Sequence, residues 1–534
     1  MERPRPLIRW LFDPRHGPTD GLVPRWLFLR ALAAIYLSAF FSLLYQIKGL
    51  IGPRGILPAQ QYLAEAASLG GSRFWFAPSL FWLSAGSHAL MAVMWIGLLA
   101  SVFALLNLWP RVVFFICFVC FLSFVSVAGE FSGYQSDGML LEAGFLALFF
   151  APGGLLPGWG AAHPPPRASL WLLQWEWFRI YFESGLVKLL SGDLQWRNLT
   201  AMDEYYQNGP LPTWIGWYVE HLPHGFHWAT AAGTLLMELA VAVMLFLPRQ
   251  ARVICFLIVT PWEIGVILTG NYAFLNYIVL SLGFLLLDDR ALQRFLPARF
   301  TLPAILPLNP PVSESEAGEP EPVAGIKAHL SAIRNAITAV LLLWVGYATT
   351  VELISMVAPD SPLPSAPVVA LEPFRIANQY GLFAVMTRGR YEIEFQGSND
   401  NQSWTTYPFR YKPQALNAAP GIYAPYQPRF DWNLWFASLG DWQQNQIVPI
   451  TEERLLENDP DVLALFKGNP FPQSPPRCVR AVLWQYWFTS IEEKRHTGDW
   501  WRRQLLGLYA PVITHAPDGR FGAVQMPARL PPHR

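Results

Sequence analysis

Apolar positions in the first two thirds of this chain come in long unbroken runs, not in the three-and-four or alternating spacings of amphipathic elements. About 20 such residues carry a helix across the hydrocarbon core of a bilayer. The sequence therefore predicts nine membrane helices, near residues 25–45, 88–109, 111–129, 138–153, 169–190, 229–248, 251–269, 272–288 and 333–356. The fourth and eighth are short for a full crossing, which leaves them tilted, re-entrant or buried within the bundle; seven to nine helices fit the pattern. The first run starts near Trp26, has spanning length and lacks a small-residue cleavage pattern, so it reads as a retained helix and not as a signal peptide.

Beyond Met356 the pattern changes. Tyr391, Ile393 and Phe395 alternate with Glu392 and Glu394, a turn-rich Gly397 to Asn401 follows, and a second aromatic run extends from Trp404 to Tyr411, which together predict a β-hairpin. The expected organisation is a helical membrane bundle followed by a β-rich extracytoplasmic domain. Residues 1–288 hold the tail and bundle, 289–332 form a cytoplasmic Pro- and Glu-rich linker, 333–356 the final helix, and 357–534 the β-rich domain, with some helix around 461–467 and 480–493.

Composition agrees with a membrane protein: 53% of the residues are hydrophobic and only 14% charged, too little charge to cover a soluble chain of this size. The 38 basic and 38 acidic residues cancel, so the positive field that draws a protein to nucleic acid is missing. Basic residues also set the orientation. Arg3, Arg5, Arg9, Arg15, Arg25 and Arg30 precede or begin the first helix, and Arg111, Arg167, Arg249, Arg252, Arg290, Arg294 and Arg299 fall in alternate loops. These place the N-terminus in the cytoplasm, and an odd number of crossings then puts residues 357–534 on the lumenal or periplasmic side. The sequons at Asn198 and Asn401 lie on that same side and are compatible with it.

Charge inside a membrane is costly and marks pairing or function. Glu176, Arg179 and Glu183 share one face of the fifth helix at i, i+3 and i+7, a spacing that lets the arginine bridge two carboxylates. Such a set is either a structural seam or part of a polar site. Lys188 lies away from that seam, on the side of Trp177, Tyr181 and Ser184; it either snorkels to the interface or serves as a base in a dry site. Glu142, Glu238 and Glu263 complete the candidate intramembrane polar groups, with Pro261 loosening the helix ahead of Glu263. Cys117 and Cys120 form a CxxC with no basic neighbours and read as packing residues. There is no phosphate-binding loop, dinucleotide fingerprint, nucleophile elbow or metal-site motif.

Several ordered motifs narrow the picture. Gly192 to Trp196 (GDLQW), Tyr205 to Pro212 (YYQNGPLP), Gly270 to Asn276 (GNYAFLN) and Asp288-Asp289 are followed by Tyr391 to Ser398 (YEIEFQGS), Phe409 to Pro413 (FRYKP), Pro428 to Trp432 (PRFDW) with Trp435 to Ala437, Asn469 to Phe471, and Trp500 to Arg503. In this order they resemble the lipase maturation factor family across nearly the whole chain. Phe430 and Leu275 depart from the pattern by apolar exchanges. On this resemblance the motif residues Asp193, Trp196, Gln207, Pro210, Pro212, Gly270, Asn271, Tyr272, Asn276, Asp288 and Asp289 are those expected to matter.

The resemblance implies a membrane chaperone that helps a secreted, lipase-like client protein fold and assemble. Its setting would be the endoplasmic reticulum membrane in a eukaryote or the inner membrane in a bacterium, with membrane lipid around it and no cofactor. Arg429, Asp431, Trp432, Trp435, Phe436, Trp500 and Trp501 are the candidates for client contact, as exposed aromatic surface or else as the domain's own core. A second resemblance runs through Tyr181 to Leu189 and Trp196, which look like the corresponding segment of vitamin K-dependent gamma-carboxylases and their bacterial horizontally transferred transmembrane relatives. It implies the alternative of a membrane enzyme using Lys188 as catalytic base on reduced vitamin K or another quinone-like or lipid substrate.

Overall fold

The structure, a computed structural model, describes residues 5–292, 322–516 and 520–528. Each predicted membrane run coincides with a helix: α1 Leu22–Ile51, α2 Ser87–Leu105, α3 Pro110–Val125, α4 Gln135–Phe150, α5 Arg167–Leu190, α6 His224–Phe246, α7 Arg249–Thr269, α8 Leu275–Leu286 and α9 Pro322–Val357. Five of them, α1, α2, α6, α7 and α9, are long and apolar enough to cross a membrane. The short α4 and α8 are largely buried among the others, so their length reflects burial in the bundle. The last helix begins at Pro322, earlier than the apolar pattern indicated, because a helix need not be apolar where it leaves the bilayer. Of the expected linker, residues 289–332, the stretch 293–321 lies outside the described residues, and 322–332 is part of α9.

The loops sort to two ends. At one, Arg25 donates to the carbonyls of Phe150, Gly160 and His163, Asn107 to Gly158 and Arg167 to His16. Asp289 accepts from the Leu22 and Val23 amides at 3.0 and 2.7 Å, so a carboxylate remote in sequence caps the N-terminus of α1. Beside it Asp288 pairs with Arg249, which opens α7. The loops after α1, α3, α5 and α7 gather at the opposite end, where the C-terminal domain sits. Successive helices thus run in alternate directions.

The C-terminal domain is built on one antiparallel sheet of β1 Arg390–Ser398, β2 Thr405–Thr406, β3 Cys478–Phe488, β4 Trp501–Leu508, β5 Val512–His515 and β6 Phe521–Gln525. The order is β2-β1-β3-β5-β6, with β4 also paired to β3. The predicted hairpin is present, Gln396 opposite Thr406, with a second strand only two residues long. All nine residues of β1 are buried, so its alternation does not separate core from water. Glu392 instead pairs with Arg390 and with Lys412, the latter at 2.9 Å, and Glu394 pairs with Arg503 at 3.2 Å. Helices α10 Arg429–Ala437 and α11 Ile447–Leu456 pack on the sheet. The apolar core is continuous from α1 through Phe395, Phe430 and Val479, joining bundle and sheet domain in one body.

Candidate functional site

Three groups of residues converge where the bundle meets the sheet domain. The first is the joint. Asn271 Nδ2 donates to the carbonyls of Leu211, Pro212 and Gly421, and its Oδ1 accepts from the amides of Tyr423 and Ala424 at 2.6 and 3.0 Å. A single amide, offering donors on one atom and an acceptor on the other, therefore ties two loops of the bundle to the outer domain. Gly270 precedes it because a Cβ there would strike the Tyr272 ring. Arg390 is wholly buried and donates to the carbonyls of Gln207, Gly209 and Pro210, while Gln207 Oε1 accepts from the Phe488 amide. Asp193 Oδ2 accepts from the Met386 amide at 2.7 Å, and the Trp196 indole donates to the Phe383 carbonyl at 2.9 Å. The motif residues of the sequence are thus mostly the fastenings of this joint, with Asp288 and Asp289 doing similar work at the far end.

The second group corrects the expected seam on α5. Arg179 pairs with Glu142 of α4, not with Glu176 or Glu183, and donates to the Asn378 carbonyl at 2.6 Å. Glu142 also accepts from the Tyr380 hydroxyl and the Asn378 amide at 2.9 and 3.2 Å. Glu183 accepts from the Tyr380 backbone at 2.6 Å, while Glu176 is buried without a hydrogen-bond partner among the described residues. Helical spacing alone could not find Asn378 and Tyr380. They belong to an irregular segment of bends and turns, residues 376–389, inserted into the bundle after α9, and no periodicity marks it.

The third group surrounds a cavity of about 530 Å³ between α5, α6 and α7, within the range of small-molecule sites. Lys188, Trp196, Glu238, Glu263, Tyr272 and Asn276, all singled out from sequence, line it together. Lys188 is 1% exposed and does not reach the interface. Its three ammonium protons meet Glu238 at 2.8 Å, the Leu382 carbonyl at 2.9 Å and the Ser184 carbonyl at 3.2 Å, and it lies 5.1 Å from the Trp196 ring centroid. No ammonium donor is left for a substrate, while the second carboxylate oxygen of Glu238 has no partner among the described residues. Glu263 accepts from Tyr181 at 2.8 Å and from Asn276.

The client-contact candidates divide. Trp432, Trp435 and Trp501 are buried, which is the core alternative and not exposed aromatic surface: α10 turns the first two toward the joint and Trp501 packs on Phe488. Arg429 is fully buried and forms a two-pronged pair with Asp137 at 2.7 and 2.8 Å. Asp431 accepts from the amides of Tyr411 and Lys412. Trp500 is half-buried against Trp217. Only Phe436 is exposed, at 46%, beside a second cavity of about 390 Å³ that Trp432 and Trp435 also line. Tyr205, Tyr272 and Phe383 form the wall between the two cavities.

A charge-poor bundle, an internal polar network and a sheet domain clamped to one end define a multi-pass membrane protein whose C-terminal domain is integral to it. Residues 23–294 match the model of the lipase maturation factor transmembrane domain, and residues 376–511 that of the lipase maturation factor C-terminal domain. The chain is 32% identical to lipase maturation factor 2 of Gallus gallus, over 92% of this chain and 81% of that protein. It is 31% identical to lipase maturation factor 2 of Homo sapiens (92% and 83%) and 30% identical to lipase maturation factor 1 of Bos taurus (94% and 91%). No solved structure matches it. The chain belongs to the lipase maturation factor family.

Proposed function

We propose that this chain matures secreted lipases as a membrane-bound chaperone, holding an incompletely assembled client against its outer domain on the lumenal or periplasmic side. The observation that carries the reading is the match of both family models, in order, to a bundle and an outer domain that form one structural unit. The basic residues counted for orientation, Arg25, Arg111, Arg167 and Arg249, lie at the end away from the sheet domain, which supports a cytoplasmic N-terminus. With Trp432, Trp435 and Trp501 inside, client contact falls to Phe436, to Trp500 and to the open edge of β6, where Val524 is 50% exposed.

Deleting the gene in its own host tests this. Exported lipase activity should fall at unchanged lipase transcript and return on re-expression of the full chain. Undiminished activity in the deletion strain contradicts the proposal.

A further inference from the structure

We propose that the cavity between α5, α6 and α7 binds an uncharged, single-chain lipid bearing a hydroxyl head, of the monoacylglycerol type, admitted sideways from the bilayer. The inference does not depend on the maturation reading.

Location supplies the first argument. Two of the cavity walls, α6 and α7, are the least enclosed of the spanning helices, with only 22% and 17% of their apolar windows buried inside the protein. Their outward residues face lipid, so the cavity lies one helix away from the hydrocarbon.

Both walls are irregular at a carboxylate. In α6, a π-helical turn over Met237–Val241 carries Glu238 and is followed by a 3₁₀ stretch, Ala242–Phe246. In α7, Pro261 precedes Glu263. Distorted backbone in a membrane is kept where it lines an internal space, and π turns recur at functional sites.

The chemistry of the lining decides the class of ligand. Lys188 is held by Glu238 and two carbonyls, and Glu263 accepts from the neutral donors Tyr181 and Asn276, while the second carboxylate oxygen of Glu238 has no partner among the described residues. An anionic head would therefore meet two carboxylates with a single ammonium, already paired, at high cost in this medium, whereas a hydroxyl head can donate to the open Glu238 oxygen. Thr230 and Thr234 donate their hydroxyl protons to carbonyls of α6 and so offer their oxygens as acceptors to a neutral head, and Ile180, Val266 and Phe226 among others present apolar wall to a chain.

Volume sets the size. At roughly 30 Å³ for a water-sized group, 530 Å³ holds about 18 such groups, a small head with the greater part of one acyl chain whose end reaches back toward the bilayer, and not both tails of a phospholipid. At Gly265, on the wall of the cavity, an added Cβ meets nothing within 4 Å, so a large side chain fits there by filling the empty space.

The test uses full-length protein in phosphatidylcholine nanodiscs with a photoactivatable monoacylglycerol, followed by mass spectrometry of the labelled peptides. Labels should concentrate on residues 226–238 and 262–279 and be displaced by excess mono-olein but not by oleate at neutral pH. Gly265→Phe, and independently Thr234→Trp from the opposite wall, should cut labelling at least tenfold while the protein stays monodisperse. Competition by oleate equal to that of mono-olein would overturn the neutral-ligand assignment. Labels spread over the lipid-facing surface and insensitive to competitor would overturn the site itself, and that mapping stands even if both variants misfold.

Discussion

Asn271 ties the bundle to the C-terminal domain through five hydrogen-bond partners drawn from both. Asn271→Ala leaves buried carbonyls and amides unpaired, each worth about 1–3 kcal/mol. The expected outcome is a thermal midpoint several degrees lower and early cleavage by protease near Gly421, read by limited proteolysis in detergent. Asp431 offers a second residue-level test. Burial pushes its carboxyl up to about 6, against the pull of the Lys412 and Tyr411 amides. A carboxyl raised in the folded state binds more protons there than in the unfolded chain, so its contribution favours folding at low pH and is lost as pH rises from about 4 to 6. Asp431→Asn keeps the accepting oxygen and removes the charge. The variant should gain stability relative to wild type across that window and hold the gain at pH 7, by roughly 2–3 kcal/mol at most, as measured by paired denaturation series.

Between elements, helix contact depends on small residues where backbones approach closely. Gly144 of α4 faces the Tyr36 hydroxyl of α1, which donates to the Leu140 carbonyl at 3.1 Å, and a Cβ at 144 would overlap that oxygen. Gly144→Ala should cost about 1–3 kcal/mol by overpacking. Adding Tyr36→Phe should recover part of the loss although it is destabilising alone; a double-mutant cycle by thermal unfolding measures the sign. At this scale the sequence was highly informative. Long apolar runs fix helices whatever their partners, so all nine appeared in the pattern. The inserted segment 376–389 did not, since its order comes from Asp193, Glu183 and Glu142, residues far away in the chain. For the same reason Glu142 could be recognised as an intramembrane carboxylate while its pairing with Arg179 could not. Residue type marked Trp432, Trp435 and Trp501 as important, but an aromatic side chain suits a core as well as a binding face, and only packing shows that these three are inside.

For the molecule as a whole, the alternation of helices and the continuous core make the sheet domain a fixed extension of one end of the bundle. On the proposed maturation reading, a client meets this domain on the side of the membrane where that end emerges. The four native cysteines are all buried, which leaves the surface free for introduced thiols. The direct measurement is labelling by a membrane-impermeant thiol reagent of two single-site variants, Leu7→Cys in the short helix Arg5–Phe12 that precedes α1 and Val524→Cys in β6, both at positions exposed in the wild type. Reagent applied from the lumenal or periplasmic side should modify Val524→Cys and spare Leu7→Cys until the membrane is permeabilised. Modification of Leu7→Cys with protection of Val524→Cys would put the outer domain in the cytosol, out of reach of any exported lipase.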